Sequence, residues 1–154
     1  MERRKQDERA AGRYYKRKFR WFPHCIYCGM IAEVRDHVFP LSVAAQLQVW
    51  RQSVQSELWR GLVTVPACKE CNTIAGNEVF RDPLSKRSYI QSRLREKYEL
   101  DRHNVQWTFE ELSELGYSLR TKILNGISKQ MRAEMRVTWP LARTRIAREI
   151  ISLL

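Results

Sequence analysis

Between residues 25 and 72 lie the side chains whose types and spacing could do chemistry. Cys25 and Cys28 form one Cys-x2-Cys pair and Cys68 and Cys71 a second; Asp36-His37 lies between them, and Asn72 follows the fourth cysteine at once. Each short pair can grip one ion through two thiolates, and two such pairs complete a tetrahedral four-sulfur shell of the kind that holds zinc. Four thiolates leave no open coordination position, so this zinc is expected to be structural. A carboxylate such as Asp36 offers hard oxygen suited to a divalent ion such as Mg²⁺. The imidazole of His37 can take a proton from water near neutral pH. Each has a plainer alternative: Asp36-His37 as a capped turn or ion pair, and Asn72 as the N-cap of a helix that starts there. A cap and a site role for Asn72 are compatible: its side-chain oxygen could ligate a metal while the helix N-terminus favours a phosphate. Adjacent residues on a regular strand point to opposite faces. Asp36 and His37 can therefore serve one site only if the strand ends or bends, which Pro40 would allow.

The surrounding elements must position these groups. Cys25–Cys28 followed by Gly29 reads as a tight knuckle. Residues 30–39 read as a strand stopped by Pro40, and 62–65 as a second strand running into the second knuckle. Between them Val43, Leu47, Trp50, Val54 and Leu58 recur at three and four residues, the pattern of an amphipathic helix capped by Ser42 and ended by Gly61. The 39 residues separating Cys28 from Cys68 thus hold a strand–helix–strand unit. A short helix is expected at Asn72, broken at Gly76. Asp82-Pro83 opens another to about residue 98, and Thr108-Phe109-Glu110-Glu111 has the capping-box pattern. A longer helix capped by Ser118 and a final one beyond Pro140 complete the chain. The fold class read from this pattern is α+β and mostly helical: a basic N-terminal arm or helix (1–20), a small two-stranded metal core (21–80) and a helical C-terminal extension (81–154).

The chain has 154 residues and a net charge of +11. Residues 1–20 carry nine Lys/Arg against three acids and residues 117–154 eight against two, leaving the middle close to neutral. Two basic ends suit a polyanionic partner, whose counterions they release on binding; basic surface that merely aids solubility is the alternative. The four cysteines occur only in the paired knuckles, no apolar run reaches the ~20 residues of a membrane span, and no signal-peptide core precedes Cys25. An intracellular, soluble protein without a membrane partner is expected, in which paired cysteines bind metal rather than each other.

Taken in order, Cys-x2-Cys, Asp-His and Cys-x2-Cys-Asn resemble the zinc-containing branch of the HNH (ββα-metal) endonucleases, and within it the phage recombination endonuclease VII type. The resemblance covers about residues 25–80. It implies a structural zinc on Cys25, Cys28, Cys68 and Cys71. It also implies His37 as general base, and Asp36 and Asn72 as ligands of a catalytic Mg²⁺ or Mn²⁺. The implied activity is hydrolysis of DNA phosphodiester bonds, on branched DNA of the Holliday-junction type or on duplex DNA by nicking or restriction, with a homodimer as one possible assembly. A non-catalytic zinc-ribbon module that binds nucleic acid is the reading from another class. Val63 stands where many members of the family have an asparagine that helps orient the histidine, so another group, such as a backbone carbonyl, must hold His37. Arg35 and Arg60 are either phosphate ligands or solvated charges. His24 reads as surface or next to the metal shell, His103 as a loop residue, and the apolar stripe from Leu119 to Met135 as core or dimer interface.

Overall fold

In a computed structural model of the chain, residues 2–18, 22–48, 62–100, 106–139 and 148 are described. Helix α1 (Glu2–Gly12) is followed by a two-residue strand β1 (Lys16–Arg17), then β2 (Val34–His37), α2 (Leu41–Leu47) and β3 (Val63–Ala67). Among the described residues there follow α3 (Lys69–Ala75), α4 (Pro83–Lys97), α5 (Phe109–Glu114) and α6 (Tyr117–Val137). The α+β, mostly helical expectation holds, but the sheet has three strands in the order β1-β3-β2 rather than two. β3 runs antiparallel to β2 and parallel to β1, with Asp36 opposite Val65, His37 opposite Thr64 and Arg17 opposite Thr64.

The sheet separates two cores. Val63, Val65, Ala67 and Val38 face the cysteine pairs, together with Ile26, Tyr27, Ile90 and Leu94. Leu62 and Phe39 face the other way, toward Ala11, Tyr15, Ala44 and Ala45. This is period-two alternation carried through both strands. The basic N-terminal segment is therefore docked: Ala11 is buried, α1 packs on α2, and the Tyr15 hydroxyl donates to the carbonyl of Phe39 at 2.7 Å.

Several helix ends match their sequence signals. Asp82 caps α4 by accepting from the Ser85 N–H, and Pro83 occupies the first helical turn. Thr108 and Glu111 make both bonds of the capping box. Three expected caps moved. α2 starts after Pro40, with Ser42 inside it, and α6 starts after Gly116, with Ser118 inside it. α3 starts at Lys69, because the sulfur of Cys68 accepts the Cys71 N–H and caps the helix itself, which leaves Asn72 one turn in. α2 closes at Leu47, where Gln48 turns left-handed at φ 52°. The remainder of the expected helix (Trp50, Val54, Leu58), together with Arg60, Gly61, His103 and, apart from residue 148, the helix beyond Pro140, lies outside the described residues. Among those described, no helix is long and apolar enough to cross a membrane.

Candidate metal centre and active site

The two knuckles bring their four sulfurs together. All four cysteines are buried and unpaired by disulfide, and their sulfurs lie within 4.8 Å of one another. Zn–S bonds of about 2.3 Å require sulfur–sulfur edges of about 3.8 Å in a regular tetrahedron. Cys28 and Cys68 stand 3.7 Å apart, close to that edge and far from a disulfide. The cluster fits a metal of zinc's size and softness. Hydrogen bonds among the thiols draw Cys28 and Cys68 down and push Cys25 and Cys71 up.

The first knuckle is a tight turn closed by the Gly29 N–H on the Cys25 carbonyl (2.9 Å), with His24 and Ile31 bridging behind it. Gly29 has φ +73°, and a Cβ there would meet the Trp139 ring at 2.5 Å. Gly29→Ala is expected to cost about 1–2 kcal/mol from the left-handed backbone alone and more from displacing Trp139, read as a lower urea midpoint at unchanged slope.

Charges surround the thiolates. The Arg136 guanidinium points at the Cys28 sulfur (3.8 Å) and pairs with Glu70 at 2.6 Å. Glu70, inside the second knuckle, also takes Lys97 (2.5 Å) and the Tyr98 hydroxyl (3.0 Å). These partners hold its carboxyl below the usual range against its burial. A four-thiolate zinc carries net negative charge, and the arginine beside it is the kind of outer contact that stabilises such a centre. The ends of α4 and α6 are thereby tied to the metal cluster.

The other expected residues divide between the two sides of the sheet. Asp36 is in the regular part of β2 and faces the cysteine side, only 4% exposed. The Tyr27 hydroxyl donates to its Oδ2 at 2.5 Å, and Lys86 of α4 reaches Oδ1 at 2.9 Å. Lys86 is 1% exposed, and its Nζ also donates to the carbonyls of His37 (2.9 Å) and Val38 (3.4 Å). Burial lowers the lysine's pKa, with Asp36 opposing the shift. Both carboxylate oxygens are thus taken, one of them by a cation. This arrangement does not fit a catalytic divalent ion on Asp36.

His37 points to the opposite face, half-buried, with its ring edge-on to Tyr15 at 4.8 Å between centroids. Burial lowers its pKa below 6.5, outweighing the nearby Asp36, so the imidazole is neutral and able to accept a proton at pH 7. Val63 faces the cysteine core and is on the wrong side to orient it. Tyr15, tied to Phe39, is the group that packs on the ring. Strand register sets Arg17, Thr64 and His37 in one row across the sheet, with exposed Arg35 two residues along on the same face. Arg35 donates to the Lys18 carbonyl at 2.9 Å, which lays it across β3 toward β1. The Thr64 hydroxyl is buried without a hydrogen-bond partner among the described residues. Asn72 is half-buried on α3, which packs against β2, and no hydrogen bond joins it to Asp36 or His37 among the described residues.

No role at the site was anticipated for Tyr27, Lys86, Tyr15, Arg17 or Arg136. One signal was present: Lys86 lies four and eight residues before Ile90 and Leu94, a lysine on the buried stripe of its helix. A scan of protein-family models, a search of the curated proteins and a search of solved structures each returned no match.

Proposed function

We propose that the chain is a zinc-stabilised nucleic-acid phosphodiester hydrolase of the HNH type, acting on DNA, with His37 as its general base. The observation that supports this most is the row formed by His37, Thr64 and Arg17 with Arg35 beside it. A neutral, half-buried imidazole stands among cations on one sheet face. Arg17 and Arg35 would hold the phosphate. His37 would take the proton of the attacking water, and the buried environment that keeps it neutral makes it a competent base at pH 7. The exposed Arg3, Arg4, Lys5, Arg9 and Arg13 of the N-terminal segment extend the positive surface along the backbone of a polyanion without reading bases. Branched DNA of the Holliday-junction type is the preferred substrate in this reading, with nicking of duplex DNA next. The zinc would be structural. A divalent ion on Asp36 and Asn72, as the family resemblance implies, conflicts with the pairing of Asp36 described above and supplies no step here.

Incubation with labelled duplex, flapped and four-way DNA in Mg²⁺ or Mn²⁺ tests the proposal. His37→Ala is expected to lower cleavage about 10²–10⁴-fold while keeping a cooperative thermal transition and DNA binding. Undiminished cleavage by the variant would remove His37 from the mechanism. The acid limb of the rate profile is expected below the ordinary histidine value of 6.5, because the buried imidazole resists protonation. The same shift has a stability consequence. Between the two pKa values the unfolded chain binds the extra proton, so His37 stabilises the fold above 6.5 and that contribution declines as pH falls toward the lower, folded value. A second reading, a non-catalytic DNA-binding zinc module, is favoured by the placement of Asp36 and His37 on opposite faces. It predicts salt-sensitive binding with no cleavage of any substrate.

A further inference from the structure

The ammonium of Lys86 sits in an oxygen cage. Its three donors meet Oδ1 of Asp36 and the carbonyls of His37 and Val38, and the Phe80 ring lies 5.7 Å away on the cation. A carboxylate and two carbonyls converging on one point are the ligands that a hard metal cation selects. Here a side chain of the protein supplies the positive charge. Tyr27 fills the second carboxylate oxygen, so Asp36 is neutralised and hydrogen-bonded without any ion.

We infer that Lys86 is a resident cation on Asp36, occupying the position a divalent ion would take, and that an ion binds this carboxylate only by displacing the lysine. Two cations cannot share one buried carboxylate without leaving uncompensated positive charge in a region closed to water. Lysine suits the role because its ammonium is a compact charge on a flexible four-carbon stem, able to withdraw where a fixed ligand could not. An ordinary buried ion pair would hold two elements together and nothing more. This one also grips the carbonyls of His37 and Val38, so exchange of lysine for a metal would be felt at the end of β2, where the proposed base is attached. The inference takes nothing from the proposed function, which routes no step through an ion on Asp36. Its test reads ion binding rather than cleavage, so the two can fail separately.

The test uses the full-length, zinc-loaded protein and Mn²⁺, followed by the loss of the free-ion electron paramagnetic resonance signal. Lys86→Met is expected to bind Mn²⁺ at least tenfold more tightly than the natural chain, and Asp36→Asn/Lys86→Met to lose that gain. Equal Mn²⁺ affinity in the natural chain and in Lys86→Met would overturn the inference, as would tight binding that survives in the double variant. Should Lys86→Met show no cooperative unfolding in Mn²⁺-free buffer, millimolar Mn²⁺ is expected to restore the transition by replacing the missing charge. A variant that stays unfolded in Mn²⁺ would equally overturn it.

Discussion

Removing the metal from the four-cysteine cluster is expected to unfold the cysteine-side core, with loss of the near-ultraviolet circular dichroism and of the cooperative thermal transition. Four buried sulfurs within 4.8 Å are held together by an ion or repel and compete for protons. Zinc contributes about 10–16 kcal/mol to the folding of small four-ligand sites, while a whole domain is stable by only about 5–15 kcal/mol. Loss of the ion is therefore as large as the entire margin. Cys71→Ala should behave like chelated protein, because its sulfur is fully buried and, among the described residues, the four cysteines alone make up the cluster. Metal analysis should find about one zinc per chain in the natural protein and far less in the variant. A Cys71→Ala protein that melts like the natural chain would show that packing alone holds the knuckles.

Lys86→Ala comes next in expected size. Cutting one partner from a buried ion pair leaves a desolvated charge, at a cost of about 3–5 kcal/mol; at about 2–4 °C per kcal/mol for a chain of this length, the thermal midpoint should fall by roughly 10 °C. Asp36→Ala should be similarly costly, since it strands the ammonium and frees the Tyr27 hydroxyl. The two effects should not add. Asp36→Asn/Lys86→Met removes both charges and keeps both shapes, and is expected to recover most of the loss. Urea unfolding of Asp36→Asn, Lys86→Met and the double variant that combines them measures the coupling. Additive losses would mean that the 2.9 Å contact carries no interaction energy of its own.

The features legible in the sequence were those fixed by neighbours along the chain. Each cysteine pair is a local chelate, and the caps at Asp82 and Thr108 are bonds across three residues. What escaped was set by distant partners. β1 is two basic residues with no apolar pattern, and it becomes a strand only because β3 offers an open edge. Asp36 finds Lys86 fifty residues away. Alternation along β2 was itself readable, and it warned that Asp36 and His37 would separate. Pro40 suggested a bend, but it follows the strand rather than breaking it. Asn72 lost its expected cap because a cysteine pair already contains one: the bend that aims the Cys68 sulfur at the metal also turns it toward the Cys71 N–H.

The placement of Lys86 has a consequence for the order in which the molecule matures during synthesis. All four cysteines of the cluster precede residue 72, so a chain leaving the ribosome can bring them around a metal while α4 is still in the exit tunnel. Asp36 at that moment has Tyr27 on one oxygen and water on the other. Only when Lys86 emerges and α4 lays Ile90 and Leu94 onto the core does the carboxylate become dry and the end of β2 acquire its clamp. A nascent or truncated chain lacking α4 would thus be able to hold zinc and yet leave Asp36 open to a dissolved cation.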